Sequence, residues 1–344
     1  MNVADSLNSA SVSPRERIDR DPQDHRPLQV LVLFDDYSLH VSAIDEHLRA
    51  FQRHSSHRIA YEPATFAARC RHGLDAFDAV VIHYSIRVNR PDHLSSAFAE
   101  QFRRFQGLKV LFLQDEYDHT EFARRAIGEL GVHVVWTCVP PEGIEQVYPA
   151  ARFPGVRFVP TLTGHAPSPG DCPRQPRPIA ERPVVIGYRG RPLGYWYGDL
   201  GQEKLNIGRR MRALCEARGI AVDIEWAEEK RIYGSAWPRF LQNCRATLGT
   251  ESGANVFDDD GRLQAAIRRE LEQHPDLSYR DLHDRYLKHH EGRVRMNQIS
   301  PKIFEAAAQR TALILFEGRY SGVVRPDEHF IPLRKDFSNI ETVL

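Results

Sequence analysis

The sequence has 344 residues, enough for two domains, and its 46 basic and 46 acidic side chains leave a formal net charge of +0. This balance excludes a global electrostatic attraction to nucleic acid or to an anionic membrane. The five cysteines form no Cys-x-x-Cys pair, which argues against a zinc site and favours reduced thiols in the cytoplasm. No stretch approaches the ~20 apolar residues of a membrane span, so only a peripheral membrane contact stays open.

The first half of the chain alternates apolar runs with helical patterns. Residues 1–27 are polar and lack the apolar core of a signal peptide, which predicts a disordered tail. Because parallel strands need crossover helices, the alternation that follows predicts a mostly parallel sheet. Strands are predicted at 28–36, 78–85, 108–116 and 132–139, and helices at 38–53, 93–106 and 119–130.

A proline-rich segment at 166–183 interrupts this alternation and predicts a linker. The alternation then resumes, with a polar helical insertion at about 252–298. The sequence therefore predicts an α/β protein with two Rossmann-like open parallel-sheet domains, at 28–165 and 184–344, that face a cleft. In the second domain, strands are predicted at 184–191, 221–226, 245–251 and 311–317, and helices at 202–218, at 236–243 and after Ser300.

Two acidic motifs have simple structural explanations. "LFDDYS" resembles the acidic pair of a phosphorylation receiver domain, but the strand that should end in the phosphate-accepting aspartate ends in His83. We therefore interpret Asp35 and Asp36 as residues that cap the next helix. "NVFDDDG" (255–261) is followed by a helical pattern, so an aspartate cap explains it and no metal site is predicted.

The segment "SPKIFEAAAQRTALILF" combines a helix start, a glutamate, three alanines and a buried strand. Together with the two Rossmann-like halves, it resembles two-domain B-fold glycosyltransferases of the retaining Glu-x7-Glu group and their spore-maturation-like relatives. In that family, the second glutamate accepts hydrogen bonds from the ribose hydroxyls of the nucleotide. The resemblance assigns this role to Glu305, and it places the helix start, with Ser300 as N-cap and Lys302 in the first turn, against the diphosphate.

The match departs from the family pattern at two places. Asn297 stands eight positions before Glu305, and Gln309-Arg310 replaces the usual glycine. We therefore take Glu251 as the first glutamate, near the donor sugar, with the insertion between the two signature positions. The resemblance also implies a basic group that neutralises the diphosphate, and the candidates are Arg189, Arg191 and Lys204.

Each assignment has a simpler alternative. Glu305 could be a solvated surface residue, and Arg189 could cap the end of its strand. In the first domain, His83 and Asp115 end successive strands and are candidates for catalysis at the acceptor. A packed structural histidine and a helix-start charge are the respective alternatives.

The resemblance implies a metal-independent, hexosyltransferase-like enzyme that moves a sugar from a nucleoside-diphosphate donor to an acceptor hydroxyl with retention. It implies no cofactor, and the acceptor would be a glycan, a lipid-linked molecule or a small molecule. Two alternatives remain open at this stage. One is a nucleotide-sugar epimerase on the same fold, and the other is a non-catalytic nucleotide-sugar binding protein.

Overall fold

The computed structural model describes residues 26–70, 73–167, 172 and 177–344. The chain divides into two compact units, of which unit 1 ends at Thr161 and unit 2 begins at Leu162. Residues 1–25 of the predicted tail, and part of the predicted linker, lie outside the described residues. Within the described residues, no helix combines the length and the apolar character that a bilayer crossing requires.

Unit 1 is an α/β structure built on one parallel sheet. Its strands are β1 (Gln29–Phe34), β2 (Arg58–Pro63), β3 (Ala79–Ile82), β4 (Leu108–Phe112), β5 (Val134–Thr137) and β6 (Arg157–Pro160). Its helices are α1 (Ser42–His54), α2 (Ser96–Arg104), α3 (Thr120–Leu130) and α4 (Pro141–Val147). The strand order is β2-β1-β3-β4-β5-β6, and all neighbouring strands pair in parallel.

The predicted strands of unit 1 are confirmed, each with fewer residues than predicted. β1 and β3 are almost completely buried, as their continuous apolar runs indicate. Three elements, β2, β6 and α4, are not predicted from the sequence. β2 and β6 are the two edge strands, and each starts with an exposed arginine, so neither shows the apolar run of a central strand.

Unit 2 repeats this architecture on a smaller sheet. Its strands are β7 (Val184–Arg189), β8 (Val222–Glu225), β9 (Cys244–Gly249), β10 (Ala312–Phe316) and β11 (Ile331–Leu333). Its helices are α5 (Gly198–Ala217), α6 (Ala236–Asn243), α7 (Arg262–Gln273), α8 (Tyr279–Leu282), α9 (Pro301–Ala308) and α10 (Ile340–Val343). The strand order is β11-β10-β9-β7-β8, again with parallel pairing.

The sheet of unit 2 has a hydrophobic core on each face. Side chains alternate between the faces of a strand, and β10 shows this directly. Ile314 and Phe316 pack in the core that α5 covers, whereas Leu313 and Leu315 pack in the core that α6 and α9 cover. The central strands are therefore buried on both faces, which explains why they were predicted from their apolar runs.

The predicted insertion forms a helical excursion with a small core of its own. An antiparallel bridge joins Ser252 to Gln298, so the two ends of the segment lie side by side. Between them, α7, α8 and a π-helical turn at His283–Leu287 pack around a cluster of apolar side chains that includes Trp196. Asp258 accepts hydrogen bonds from two backbone N–H groups of α7, so an aspartate caps this helix as predicted, although the N-cap position itself is Gly261.

Helix α9 ends at Ala308, directly before Gln309-Arg310, the two residues that replace the glycine of the family pattern. The N–H of Thr311 donates to the carbonyl of Ala306, and the N–H of Arg310 donates to that of Ala307, a pattern that closes the last turn. Arg310 adopts a φ of 51°, the left-handed conformation that favours glycine. Here an arginine therefore occupies a backbone position that is strained for residues with a side chain.

We expect Arg310→Gly to raise the free energy of unfolding by about 1 kcal/mol, because glycine adopts this conformation without the steric penalty. Arg310 is exposed, so little packing is lost. Urea denaturation would measure the change. Arg245→Gly, at an extended position of β9, is the contrasting variant and should destabilise; a destabilised Arg310→Gly would contradict the expectation.

Candidate functional site

The two sheets have a strand switch point at equivalent positions. In unit 1, β1 lies between β2 and β3, and in unit 2, β7 lies between β8 and β9. In each unit, the second strand therefore lies on one side of the first strand, and the third strand lies on its other side. Open α/β sheets bind ligands outside the carboxyl ends of the strands at such a point. We call the region beyond the carboxyl ends of β1 and β3 the crevice of unit 1, and the region beyond those of β7 and β9 the crevice of unit 2.

The crevice of unit 2 contains a group of positive side chains. The ammonium of Lys302 on α9 donates to the carbonyl of Arg189 at 2.7 Å, and that of Lys204 on α5 donates to Ser252 Oγ at 3.0 Å. Desolvation, and after it the charge of Lys204, lower the pKa of Lys302 to about 8, although part of the Lys302 side chain is exposed. The charges of Arg231 and Arg189 also lower the pKa of Lys302. We call the set formed by Lys204, Lys302, Arg189 and Arg231 the cationic cluster.

Glu305 lies beside this cluster and interacts with an aromatic residue. Its Oε2 accepts a hydrogen bond of 2.6 Å from the indole N–H of Trp237 on α6. Lys302 Nζ lies 5.5 Å from the centre of the same indole ring. Burial raises the pKa of Glu305, while Trp237 and Lys302 oppose that shift. Glu305 is therefore a partly buried acceptor held on a helix, rather than a solvated surface residue.

Arg189 is the predicted phosphate ligand that the structure supports least. Its guanidinium donates to the carbonyls of Tyr188, Asp223 and Lys230, and it forms an ion pair of 2.9 Å with the Asp223 carboxylate. Its guanidinium carbon also lies 4.4 Å from the ring centre of Phe240. These contacts favour the alternative in which Arg189 stabilises the end of its strand.

The other predicted ligands lie close to the crevice or just outside it. Arg191 follows β7 by two residues and is exposed. Ser300 is the residue that precedes α9, and Pro301 follows in the first turn, as predicted. The Ser300 side chain makes no capping hydrogen bond, so it does not occupy the first-turn N–H groups of α9.

Glu251 holds the loop after β10 in place through hydrogen bonds. Its carboxylate accepts hydrogen bonds from the backbone N–H groups of Arg319 and Tyr320, at 2.9 and 2.8 Å, and from Asn297 Nδ2 at 2.7 Å. The structure thus brings together Glu251 and Asn297, the two positions considered for the first signature glutamate. Because the bonding capacity of the buried carboxylate is largely used, its contacts favour a positioning role over direct acid–base catalysis.

His83 lies at the crevice of unit 1 but is 0% exposed. The backbone N–H of Ser85 donates to its Nδ1, so we infer that Nε2 carries the proton and donates to His47 Nδ1 at 2.9 Å. Burial, and then His47, lower its pKa well below the usual value of 6.5. A neutral, enclosed imidazole favours the structural alternative for His83.

Asp115 is more accessible than His83. It follows β4, adopts a φ of 54°, and keeps 45% of its side chain exposed. Its carboxylate accepts a hydrogen bond of 2.7 Å from the Tyr117 hydroxyl and lies 3.6 Å from Arg87. Strained backbone of this kind is frequent at binding sites. Of the two catalytic candidates in unit 1, Asp115 is the one that a ligand could reach.

The neighbouring Glu116 is buried, with 1% exposure. It accepts hydrogen bonds from the Thr137 and Tyr148 hydroxyls and from the backbone N–H of Cys138. Burial nevertheless raises the pKa of Glu116 to about 7. The folded protein therefore favours the protonated carboxyl more strongly than the unfolded chain does.

Glu116→Gln should alter the dependence of stability on pH. The raised pKa stabilises the fold fully below about 4.5, and this contribution is lost as the pH rises through about 7. Each unit of difference between the pKa in the folded and in the unfolded state corresponds to about 1.4 kcal/mol of unfolding free energy. As the pH rises across this range, the free energy of unfolding of the variant should therefore increase relative to that of wild type.

The measurement is denaturant unfolding at several pH values from 4.5 to 8. His83 contributes with the opposite sign, because a lowered histidine pKa costs stability as the pH falls below 6.5. Comparing the variant with wild type cancels this contribution. A constant difference at all pH values would show that Glu116 does not titrate as described.

Trp237 and Arg231 are members of the unit 2 crevice that no sequence pattern predicts. Trp237 precedes its partner Glu305 by 68 residues, and it lies on a helix without any local motif. The residues that were predicted here share short segments with a recognisable pattern. Contacts of this range become visible only when the strand order brings α6 and α9 to the same face of the sheet.

No protein-family model matches the sequence, and a comparison with curated proteins gives no significant match. The functional assignment therefore depends on the geometry of the two crevices. Of the two, the crevice of unit 2 has the more distinctive chemistry, because it combines the cationic cluster with a partly buried carboxylate.

Proposed function

We propose that unit 2 binds the nucleoside diphosphate of a sugar donor and that the protein is a retaining, hexosyltransferase-like glycosyltransferase of the B fold. The observation that carries this proposal is the cationic cluster at the strand switch point. The ammonium groups of Lys302 and Lys204 repel each other there, and binding of an anion relieves this repulsion. Glu305 stands one helical turn from Lys302 and supplies an acceptor for ribose hydroxyls.

Each residue has a defined part in this proposal. Lys204 and Lys302 contact diphosphate oxygens, together with first-turn N–H groups of α9. The same contacts stabilise the charge that grows on the diphosphate as the sugar leaves, which is the main catalytic contribution of the unit. Asp115 faces the acceptor in unit 1. No cofactor or metal is required for these steps, and we place the protein in the cytoplasm.

A non-catalytic nucleotide-sugar binding protein is the second candidate. Two observations favour it: the Glu251 carboxylate and the His83 imidazole are both occupied by internal hydrogen bonds. Incubation with a labelled nucleotide sugar separates the two candidates. Release of nucleoside diphosphate, with the label in an acceptor or in free sugar, supports the enzyme, whereas binding without turnover supports the second candidate.

We expect Glu305→Gln to weaken the binding of a nucleoside diphosphate about tenfold. The amide keeps the size of the side chain and still accepts from Trp237, but it loses the charge that strengthens hydrogen bonds from ribose hydroxyls. Calorimetric titration with uridine, guanosine and adenosine diphosphates would measure the change in affinity for whichever ligand binds.

Glu272→Gln is the matched control, because Glu272 is an exposed glutamate on α7. It should bind like wild type. If Glu305→Gln also binds like wild type, Glu305 is not a ribose ligand. If no nucleoside diphosphate binds wild type at millimolar concentration, the proposed function itself is wrong.

A further inference from the structure

A second group of polar side chains lies where the insertion meets the start of α5. Asp199 belongs to the first turn of α5, His283 begins the π-helical turn, and Glu291 follows that turn. One nitrogen or oxygen atom from each side chain lies within 4.8 Å of the other two. The contributing segments are more than eighty residues apart, so no local motif predicts this group.

The histidine nitrogen in this group lacks a hydrogen-bond partner. His283 Nε2 is buried, and it lies 3.8 Å from Glu291 Oε2, beyond hydrogen-bond distance. A buried polar atom without a partner costs free energy, and native proteins rarely leave one unsatisfied. In a tetrahedral zinc site, bonds of about 2.1 Å place the ligand atoms ~3.4 Å apart. Only a small movement would bring the three side chains to that spacing.

Outer partners already hold two of the three side chains. The Tyr279 hydroxyl donates to Asp199 Oδ1 at 2.7 Å, and the backbone N–H of Asp199 donates to Glu291 Oε2 at 3.1 Å. The Asp284 carboxylate lies 3.9 Å from Nδ1, the second ring nitrogen of His283. Carboxylates and hydroxyls in these positions orient the ligands of metal sites.

We propose that Asp199, His283 and Glu291 bind a divalent first-row transition ion, with Zn²⁺ as the best chemical match. One imidazole and two carboxylates are common zinc ligands, and three protein ligands leave a position for water. The ion joins the insertion to the helix that carries Lys204 five residues further on. This site is separate from the cationic cluster, and its existence does not depend on the proposed function.

The test is calorimetric titration of the full chain with ZnCl₂ after dialysis against EDTA, followed by thermal unfolding with and without the ion. We expect one ion per chain and a higher unfolding temperature in its presence. His283→Gln should weaken binding by more than the roughly 10–100-fold effect typical of losing an outer partner. Tyr279→Phe, which removes such a partner, should fall within that range.

His289→Gln is the control, because His289 is an exposed neighbour in the same segment. It should bind zinc like wild type. Glu291→Gln tests the site if His283→Gln does not fold, since the amide oxygen still accepts from the Asp199 N–H. The proposal is overturned if wild type binds no stoichiometric zinc, or if the folded ligand variants bind it as tightly as wild type.

Discussion

Replacing Arg182 with methionine should lower the free energy of unfolding of unit 2 by about 3 kcal/mol or more. Arg182 is 1% exposed although it lies in the predicted linker. Its guanidinium donates to the carbonyls of Cys244 and Gln309, at 2.9 and 3.1 Å, and to Thr311 Oγ1 at 3.0 Å. It thereby connects the start of β9 to the chain between α9 and β10. Methionine fills much of the space but leaves these buried acceptors without a donor.

Chemical denaturation followed by tryptophan fluorescence would measure the loss. The control is Arg177→Met, because Arg177 is exposed and its side chain donates to the exposed Asn243 Oδ1 at 3.1 Å. That change should stay within about 0.5 kcal/mol. An unfolding midpoint for Arg182→Met equal to that of the control would contradict the role assigned to this guanidinium.

Replacing both Lys204 and Lys302 with methionine should reduce the affinity for a nucleoside diphosphate by about 100-fold or more. A hydrogen bond to a charged group contributes about 1.5–3 kcal/mol, and 1.4 kcal/mol corresponds to a factor of ten. The affinity for the corresponding nucleoside, which has no phosphate, should change little. Lys288→Met, an exposed lysine in the insertion, serves as the control. Equal losses for nucleotide and nucleoside would indicate misfolding instead.

The same pair of lysines predicts a pH dependence. Because the pKa of Lys302 is about 8, its ammonium is charged below that value, and the affinity for the diphosphate should fall as the pH rises through it. Lys204 is one cause of the lowered pKa, so in Lys204→Met the fall in affinity should move to higher pH. Titrations with the diphosphate at pH 7 to 10 would test this. If the pH midpoint of the fall in affinity is the same in Lys204→Met and wild type, the charge of Lys204 does not affect the pKa of Lys302.

The central part of the fold is predictable from the sequence because burial on both faces leaves a direct signal. The runs that became β1, β3 and β10 are apolar at every position that faces a core. The edge strands β2 and β11 carry no such signal, since each has exposed positions. The chain ends with the single-turn helix α10, which the apolar pattern does not predict, and the Asp336 carboxylate accepts a hydrogen bond from the N–H of Ser338 before it.

The candidate site divides in the same way. Lys302 and Glu305 share α9 and Ser300 directly precedes it, so their proximity could be predicted from the short segment alone. The partners that define their environment come from distant segments, as with Trp237 for Glu305 and Asn297 for Glu251. A sequence pattern can therefore suggest a role for Glu251 or Arg189, but it cannot reveal that internal contacts already occupy the side chain.

The bridge between Ser252 and Gln298, which joins the two ends of the insertion, also has a kinetic consequence. Ala246 and Ala312 pair across neighbouring strands although more than sixty residues separate them, and most of those residues belong to the insertion. The entropy lost in closing a loop grows with its length, by about 0.6 kcal/mol for each doubling. If the insertion collapses early around its own apolar cluster and joins at Ser252 and Gln298, the effective loop shortens to about a third. Formation of the β9–β10 pair then becomes easier by about 1 kcal/mol, so early collapse of the insertion offsets most of the entropic cost that its length adds to assembling the sheet.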